Sequence, residues 1–145
     1  MRRLLLLLVV PLFSLFSGYS VLSAKESITI SSAKELSKLS TVKAGTEIVW
    51  RNGEYANERL VITASGTAAK PIILRAESDG GVRFTGNSYL RIKGSNIVVR
   101  GFVWNNPPLE KGVVVSFDKI SSHSLLEECV IKGNKSEMRP ENNIK

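Results

Sequence analysis

Residues 82–106 read VRFTGNSYLRIKGSNIVVRGFVWNN, and this stretch decides the fold of the chain. Its β-branched and aromatic segments are 82–85, 89–93, 97–100 and 102–104, and one to three residues of Gly, Asn and Ser separate them. Such connections are too short for a helical crossover, so parallel pairing requires a chain that winds on and stacks its turns. The pattern therefore predicts successive coils of a β-helix, and a series of hairpins is the alternative.

The same pattern continues on both sides of this stretch. Further β-rich segments are predicted at 47–50, 60–64, 71–76, 113–117 and 125–131, with turn residues between them. Apolar residues recur at intervals of 25, 25 and 28, and they are Ile48, Ile73, Val98 and Leu126. One coil for each interval explains this spacing, with an insertion at 105–112 in the last interval.

The residues before Gly45 follow a helical pattern. Ser32 and Glu35 have the spacing of a capping box, and Leu36 and Leu39 fall near one helical face. Gly45 then serves as a C-terminal breaker. We predict a linker and a short capping helix within 25–45, with the helix over 33–43 and its leucines covering the open end of the first coil.

The N-terminus has the features of a secretory signal peptide. Arg2 and Arg3 precede the apolar stretch 4–16, and small residues follow as far as Ser23 and Ala24. The apolar stretch is shorter than the roughly 18 residues of a membrane-spanning helix. We therefore predict a signal peptide over 1–24, cleavage near Ser23 or Ala24, no stable membrane anchor, and a secreted or periplasmic protein.

The charge of the chain favours an anionic partner. Its formal net charge is +7, which attracts anionic molecules. Side chains alternate along a strand, so within 89–93 Leu90 and Ile92 point inward and their neighbours point outward. Five basic residues then face outward on neighbouring coils and form a predicted basic strip: Arg75, Arg83, Arg91, Lys93 and Arg100. An acidic polysaccharide fits an exported protein better than nucleic acid does. The alternative is that these charges only suppress pairing between sheet edges.

The sequence contains no recognisable catalytic or metal-binding constellation. Cys129 and His123 are the only residues of their types, so neither a disulfide nor a zinc site can be built from this chain alone. Glu127 and Glu128 are adjacent, and a continuous strand would direct them to opposite faces. We predict that Cys129 is a packed core thiol. Catalytic and metal-ligating residues are predicted to be absent, and the substrate-binding residues are unknown.

Three stretches resemble polysaccharide lyase family six, which contains chondroitinase B and alginate lyases. They are VKAGTEIVWRNGEY at 42–55, SGTAAKPIILRAE at 65–77, and TGNSYLRIKG at 85–94 together with VVRGF at 98–102. The resemblance extends from about Leu36 to Asn134. Ala44 and Thr46 depart from the family's usual Pro and Asp, and both lie in the turn into the first coil.

The resemblance implies a right-handed parallel β-helix that cleaves a uronic-acid polysaccharide, alginate or chondroitin/dermatan sulfate, by β-elimination. It also implies a calcium ion held by Asn and Glu, a Lys base, and an Arg beside the leaving oxygen. No motif for these residues occurs in this sequence, so we expect neither calcium binding nor lyase activity from this chain alone. The alternative is a non-catalytic exported β-solenoid module that binds acidic glycans.

The polar tail at 135–145 contains few apolar side chains, whereas a solenoid must cover the core of its last coil. The sequence therefore predicts the first coils of a parallel β-helix over 46–134, as a truncated N-terminal portion of a longer protein. The identity of the polysaccharide, endo- or exo-action and the oligomeric state are left open.

Overall fold

The computed structural model describes residues 25–105 and 113–133. The predicted signal peptide, most of the insertion at 105–112 and the polar tail lie outside these residues. The described elements, in chain order, are β1 Ser27–Ile30, α1 Ala33–Ser37, β2 Glu47–Trp50, β3 Gly53–Ala56, β4 Arg59–Ile62, β5 Ile72–Ala76, β6 Val82–Thr85, β7 Tyr89–Ile92, β8 Ile97–Arg100, β9 Phe102–Asn105, β10 Val115–Phe117, β11 Leu125–Glu127 and β12 Val130–Lys132.

The strands form three parallel sheets, and each full turn of the chain contributes one strand to each sheet. Sheet A has the order β1-β2-β5-β8-β11, sheet B has β3-β6-β9-β12, and sheet C has β4-β7-β10. Every strand pairing is parallel. The chain is therefore a parallel β-solenoid of about three turns, as predicted, and the hairpin alternative is wrong.

Alternation along the strands separates the core from the surface. In sheet C, Leu60 pairs with Leu90 and Ile62 with Ile92, and all four side chains are buried. Arg91 lies between Leu90 and Ile92 and is exposed, which confirms the predicted orientation of this strand. The core is a column of side chains from like positions of successive coils.

Five aromatic rings form the centre of the core where sheets A and B meet: Trp50, Tyr55, Phe84, Phe102 and Trp104. Phe84 is 1% exposed and occupies the middle of this cluster. Its ring centroid lies 5.3 Å from that of Trp50 and 5.5 Å from that of Trp104. These spacings are typical of favourable aromatic pairs, so the cluster couples three consecutive coils.

The predicted spacing of the coils is correct at one interval and wrong by one residue at two. Ile73 pairs with Val98, as the interval of 25 predicts. Ile48, however, pairs with Leu74, and Val98 pairs with Leu125. The turns differ in length from coil to coil, so equal spacing in the sequence does not give the register. A shift of one residue exchanges the buried and exposed faces of a strand.

The N-terminal cap differs from the prediction in two ways. The helix α1 ends at Ser37 and not at residue 43, because Lys38 already donates its backbone N–H to the carbonyls of Glu35 and Leu36. Ser32 caps the helix as predicted, accepting the N–H of Glu35 at 3.3 Å. The helix packs beside β4, while the unpredicted strand β1 pairs with β2. Sheets A and C are therefore covered at this end by different elements.

The turns between sheets vary in length, and most described turns contain a residue with positive φ. Gly101 alone joins β8 to β9, with φ 77°, whereas nine residues, 63–71, join β4 to β5. Glu128 has φ 49° and divides the predicted strand 125–131 into β11 and β12. Within the described residues, no helix is long and apolar enough to span a membrane.

Candidate functional site

The outer face of sheet A contains a chain of paired charges. Arg75 donates its Nε–H to Glu47 Oε1 at 2.7 Å, and Lys25 Nζ lies 3.6 Å from the same oxygen. The hydrogen bond from Arg75 lowers the pKa of Glu47 below its ordinary value. Arg75 also donates to the backbone carbonyls of Ala76 and Glu77. The hydrogen bonds of the Arg75 guanidinium are therefore made within the protein, to Glu47, Ala76 and Glu77.

Arg100 is the register partner of Arg75 on the next coil, and it is also paired. Its NH2 group donates to Glu127 Oε2 at 2.8 Å, and its Nε lies 3.4 Å from Glu128 Oε2. These carboxylates raise the pKa of Arg100, and the hydrogen bond that Arg100 donates to Glu127 is the main cause. The prediction that Glu127 and Glu128 face opposite sides is wrong, because the positive φ of Glu128 redirects its side chain.

The basic strip predicted from the sequence does not exist as one surface. Arg75 and Arg100 lie on sheet A, Arg83 on sheet B, and Arg91 on sheet C, with Lys93 directly after the same strand. The three sheets face different directions, so no single linear ligand can contact all five residues. The prediction is wrong because alternation shows which residues point outward but not which sheet they belong to.

The positive charge is instead concentrated on one side of the solenoid. We define the basic side as sheet C and the turns that lead into sheet A, residues 39–46, 59–71, 89–96 and 113–124. Its charged residues are six cations, Lys43, Arg59, Lys70, Arg91, Lys93 and Lys119, and one carboxylate, Asp118. Within the part of the chain that the structure describes, none of these cations is in an ion pair. Five of the six are exposed, and Lys93 is half-buried.

The neighbouring side, which contains sheet A, has the reverse balance of charge. We define the mixed side as sheet A and the turns that lead into sheet B, residues 25–30, 47–52, 72–81, 97–101 and 125–129. It contains four cations, Lys25, Arg51, Arg75 and Arg100, and six carboxylates, Glu26, Glu47, Glu77, Asp79, Glu127 and Glu128. All ion pairs among the described residues lie here. The charged residues of this side therefore sum to a net negative charge.

The described residues do not fit a calcium site. Calcium prefers six to eight oxygen ligands, among them several carboxylates. No group of three or more His, Cys, Asp or Glu side chains that could hold a metal ion occurs among residues 25–105 and 113–133. The adjacent carboxylates of Glu127 and Glu128 both face Arg100, whose positive charge would repel a cation.

Cys129 and His123 do not form a reactive pair. Cys129 is half-buried against the core, and its Sγ lies 3.9 Å from the carbonyl of Val99. Burial raises the pKa of this thiol, which suppresses its nucleophilic form. His123 lies in a turn at φ 51° and is exposed. The prediction of a structural cysteine agrees with this environment.

Sequence reasoning missed four members of the basic side: Lys43, Arg59, Lys70 and Lys119. They lie at the start of a strand or in turns, outside the strand centres where alternation is informative. A signal for them is present only once each turn is assigned to a corner of the solenoid. Residues 59–71 and 89–96 then prove to contain four basic residues and no acidic residue.

Comparisons with known proteins show which family the chain belongs to. The sequence profile of the Chondroitinase B family matches residues 30–144. The chain belongs to this family. No match was found among curated proteins.

Solved structures agree with the family assignment. The family 6 alginate lyase AlyGC is 28% identical with a TM-score of 0.66, over 72% of this chain and 15% of that one. A family 6 polysaccharide lyase from Pseudopedobacter saltans is 31% identical with a TM-score of 0.66, over 72% of this chain and 24% of that one. A mannuronic acid specific family 6 lyase from human gut microbiota, 21% identical with a TM-score of 0.60, shares the fold over 73% of this chain and 26% of that one. The chain thus spans about a quarter or less of the length of these relatives.

Proposed function

We propose that this chain forms the N-terminal coils of an exported lyase that cleaves a uronic-acid polysaccharide, alginate or chondroitin/dermatan sulfate, by β-elimination. The observation that carries the proposal is the family match over residues 30–144, supported by 28% and 31% identity to family 6 lyases of the same fold. The relatives are several times longer, so the role proposed for the described residues is that of scaffold.

The chemistry of β-elimination explains this division of roles. The C5 proton of a uronate is weakly acidic, so its removal requires a base and stabilisation of the charge that develops on the carboxylate. The described residues contain no group of side chains that could hold a cation, and the arginines on the strands of sheet A, Arg75 and Arg100, are paired with glutamates. We therefore propose that elimination needs further coils, and that calcium, if used, binds to those coils.

A chimera tests this proposal. Residues 25–133 replace the matching coils of the Pseudopedobacter saltans lyase, and formation of the unsaturated product is followed by its absorbance with alginate and with chondroitin and dermatan sulfates. We expect the chimera to retain activity and the present chain alone to have none. A folded but inactive chimera, or steady product formation by the chain alone, would contradict the proposal.

A non-catalytic module that binds acidic glycans is the second candidate. The basic side favours it, because six cations without ion pairs among the described residues are available to an anionic polymer. The two candidates differ in their readouts. A module predicts salt-sensitive binding by the chain together with an inactive chimera, whereas a lyase scaffold predicts product from the chimera.

A further inference from the structure

We propose that the basic side, and not the outer face of sheet A, is the surface on which this chain holds an anionic polysaccharide. The inference rests on the proposed function for the class of ligand and on the structure for the location. It assigns binding to Arg59, Arg91 and Lys93, with Lys43, Lys70 and Lys119 extending the surface along the corner toward sheet A.

The register brings the central cations together. Arg59 pairs with Tyr89, and Val61 pairs with Arg91, so Arg59 and Arg91 lie diagonally on adjacent strands. Lys93 follows Arg91 by two residues and therefore faces the same way. Neighbouring strands lie about 4.8 Å apart. The three cations therefore lie within a surface that a few sugar units can cover.

The environment of these cations leaves them available. Glu58 is next to Arg59, but its carboxylate accepts the backbone N–H of Ala33 at 2.8 Å. Asp118 is the one carboxylate among the described residues of the basic side. Its backbone N–H donates to the carbonyl of Ile92, which places it next to Lys93, but the two side chains form no ion pair. An anionic ligand therefore has little local negative charge to displace, whereas on sheet A it must first displace Glu47 or Glu127.

The charge of the two sides also acts at a distance. The Debye length at physiological ionic strength is about 8 Å, so adjacent cations such as Arg59 and Arg91 act together on an approaching polymer, whereas cations farther apart on the basic side act separately. Tyr89 is half-buried beside Arg59 and offers an amphipathic ring of the kind enriched at binding surfaces. The ligand that fits is a flexible polyanion with repeated carboxylates, and the basic side would recognise its charge more than its shape.

Two matched triple variants of the chain test the assignment. The first, R59Q/R91Q/K93Q, removes two arginines and one lysine from the basic side. The control, R51Q/R83Q/K132Q, removes the same side-chain types from other surfaces, and its three residues are exposed and without ion pairs among the described residues. Binding to alginate is measured by retardation in native gels that contain the polymer and by titration calorimetry, at low and high salt.

We expect R59Q/R91Q/K93Q to weaken alginate binding roughly tenfold or more and to flatten its salt dependence, since exposed charge contacts add modestly but together. The control should change affinity less than about twofold. The charge-retaining R59K/R91K/K93R variant should bind like the wild type, which separates charge from any effect on folding. Equal weakening in both glutamine variants, or no binding by the wild type, would overturn the assignment. The lyase proposal is judged separately by product from the chimera.

Discussion

Replacing Phe84 by alanine provides the sharpest test of how the solenoid is held together. Phe84 is 1% exposed, and its ring lies within 6.0 Å, centroid to centroid, of those of Trp50, Tyr55, Phe102 and Trp104. Removing a buried phenylalanine side chain costs about 3–5 kcal/mol through lost burial and the cavity left behind. Its aromatic pairs, worth about 0.5–1.5 kcal/mol each before non-additivity, are part of this cost and favour the upper end of the range.

The assay uses the tryptophans as reporters. Trp50 and Trp104 are the only two in the chain, and both contact Phe84, so their fluorescence follows the cluster directly during urea unfolding. We expect Phe84→Ala to lower the free energy of unfolding by about 3–5 kcal/mol, against about 5–15 kcal/mol for a typical domain. Phe84→Leu should cost less, because most of the volume is kept.

Phe117 provides the matched control, since it is also a phenylalanine on a strand but is 51% exposed. We expect Phe117→Ala to cost less than about 1 kcal/mol. A loss below about 1 kcal/mol for Phe84→Ala, or equal losses at the two positions, would refute the conclusion that this cluster couples the coils.

Three further predictions concern charge and backbone. Because Arg75 lowers the pKa of Glu47, the pair stabilises the fold at pH values above the ordinary carboxyl pKa, and this stability is lost as the pH falls. In urea unfolding, the free energy of unfolding of the wild type should exceed that of Glu47→Gln by about 1 kcal/mol at neutral pH. In strong acid the two proteins should have the same free energy of unfolding. Gly94→Ala should lower the free energy of unfolding in urea by about 2–3 kcal/mol, because the Cβ of the new alanine would collide with the carbonyl oxygen of Ala64. Gly101→Ala should lower the free energy of unfolding by about 1–2 kcal/mol, because φ is 77° and the new Cβ would lie 2.7 Å from Asp79 Oδ1. A melting temperature equal to that of the wild type would contradict this.

The sequence predicted the strands that combine alternation with flanking turn residues. The bounds of β2, β6 and β8 agree with the prediction, because each joins β-branched or aromatic residues to a clear break. Strand β3 was missed because Gly53 and Glu54 are typical of a turn. It forms nonetheless because Tyr55 reaches the aromatic cluster, and such a tertiary contact overrides local preference.

Properties of the surface were harder to predict than the core. Burial depends on alternation along one strand, whereas the location of Arg59 or Lys70 depends on register across several coils. The register in turn depends on turn lengths that follow no fixed period. This is why the inward positions of Leu90 and Ile92 are confirmed, while the basic strip was assigned to the wrong surfaces.

The unequal corners have a practical consequence for protein engineering and for divergence within the family. A corner can consist of Gly101 alone or of the nine residues 63–71, and the strands on either side still stack in parallel. Peptide tags or ligand-recognition segments inserted at a long corner should therefore leave the rod intact, whereas an insertion at Gly101 should disrupt it. A scaffold of this kind can acquire new ligand specificities when its corners lengthen, while its core stays the same.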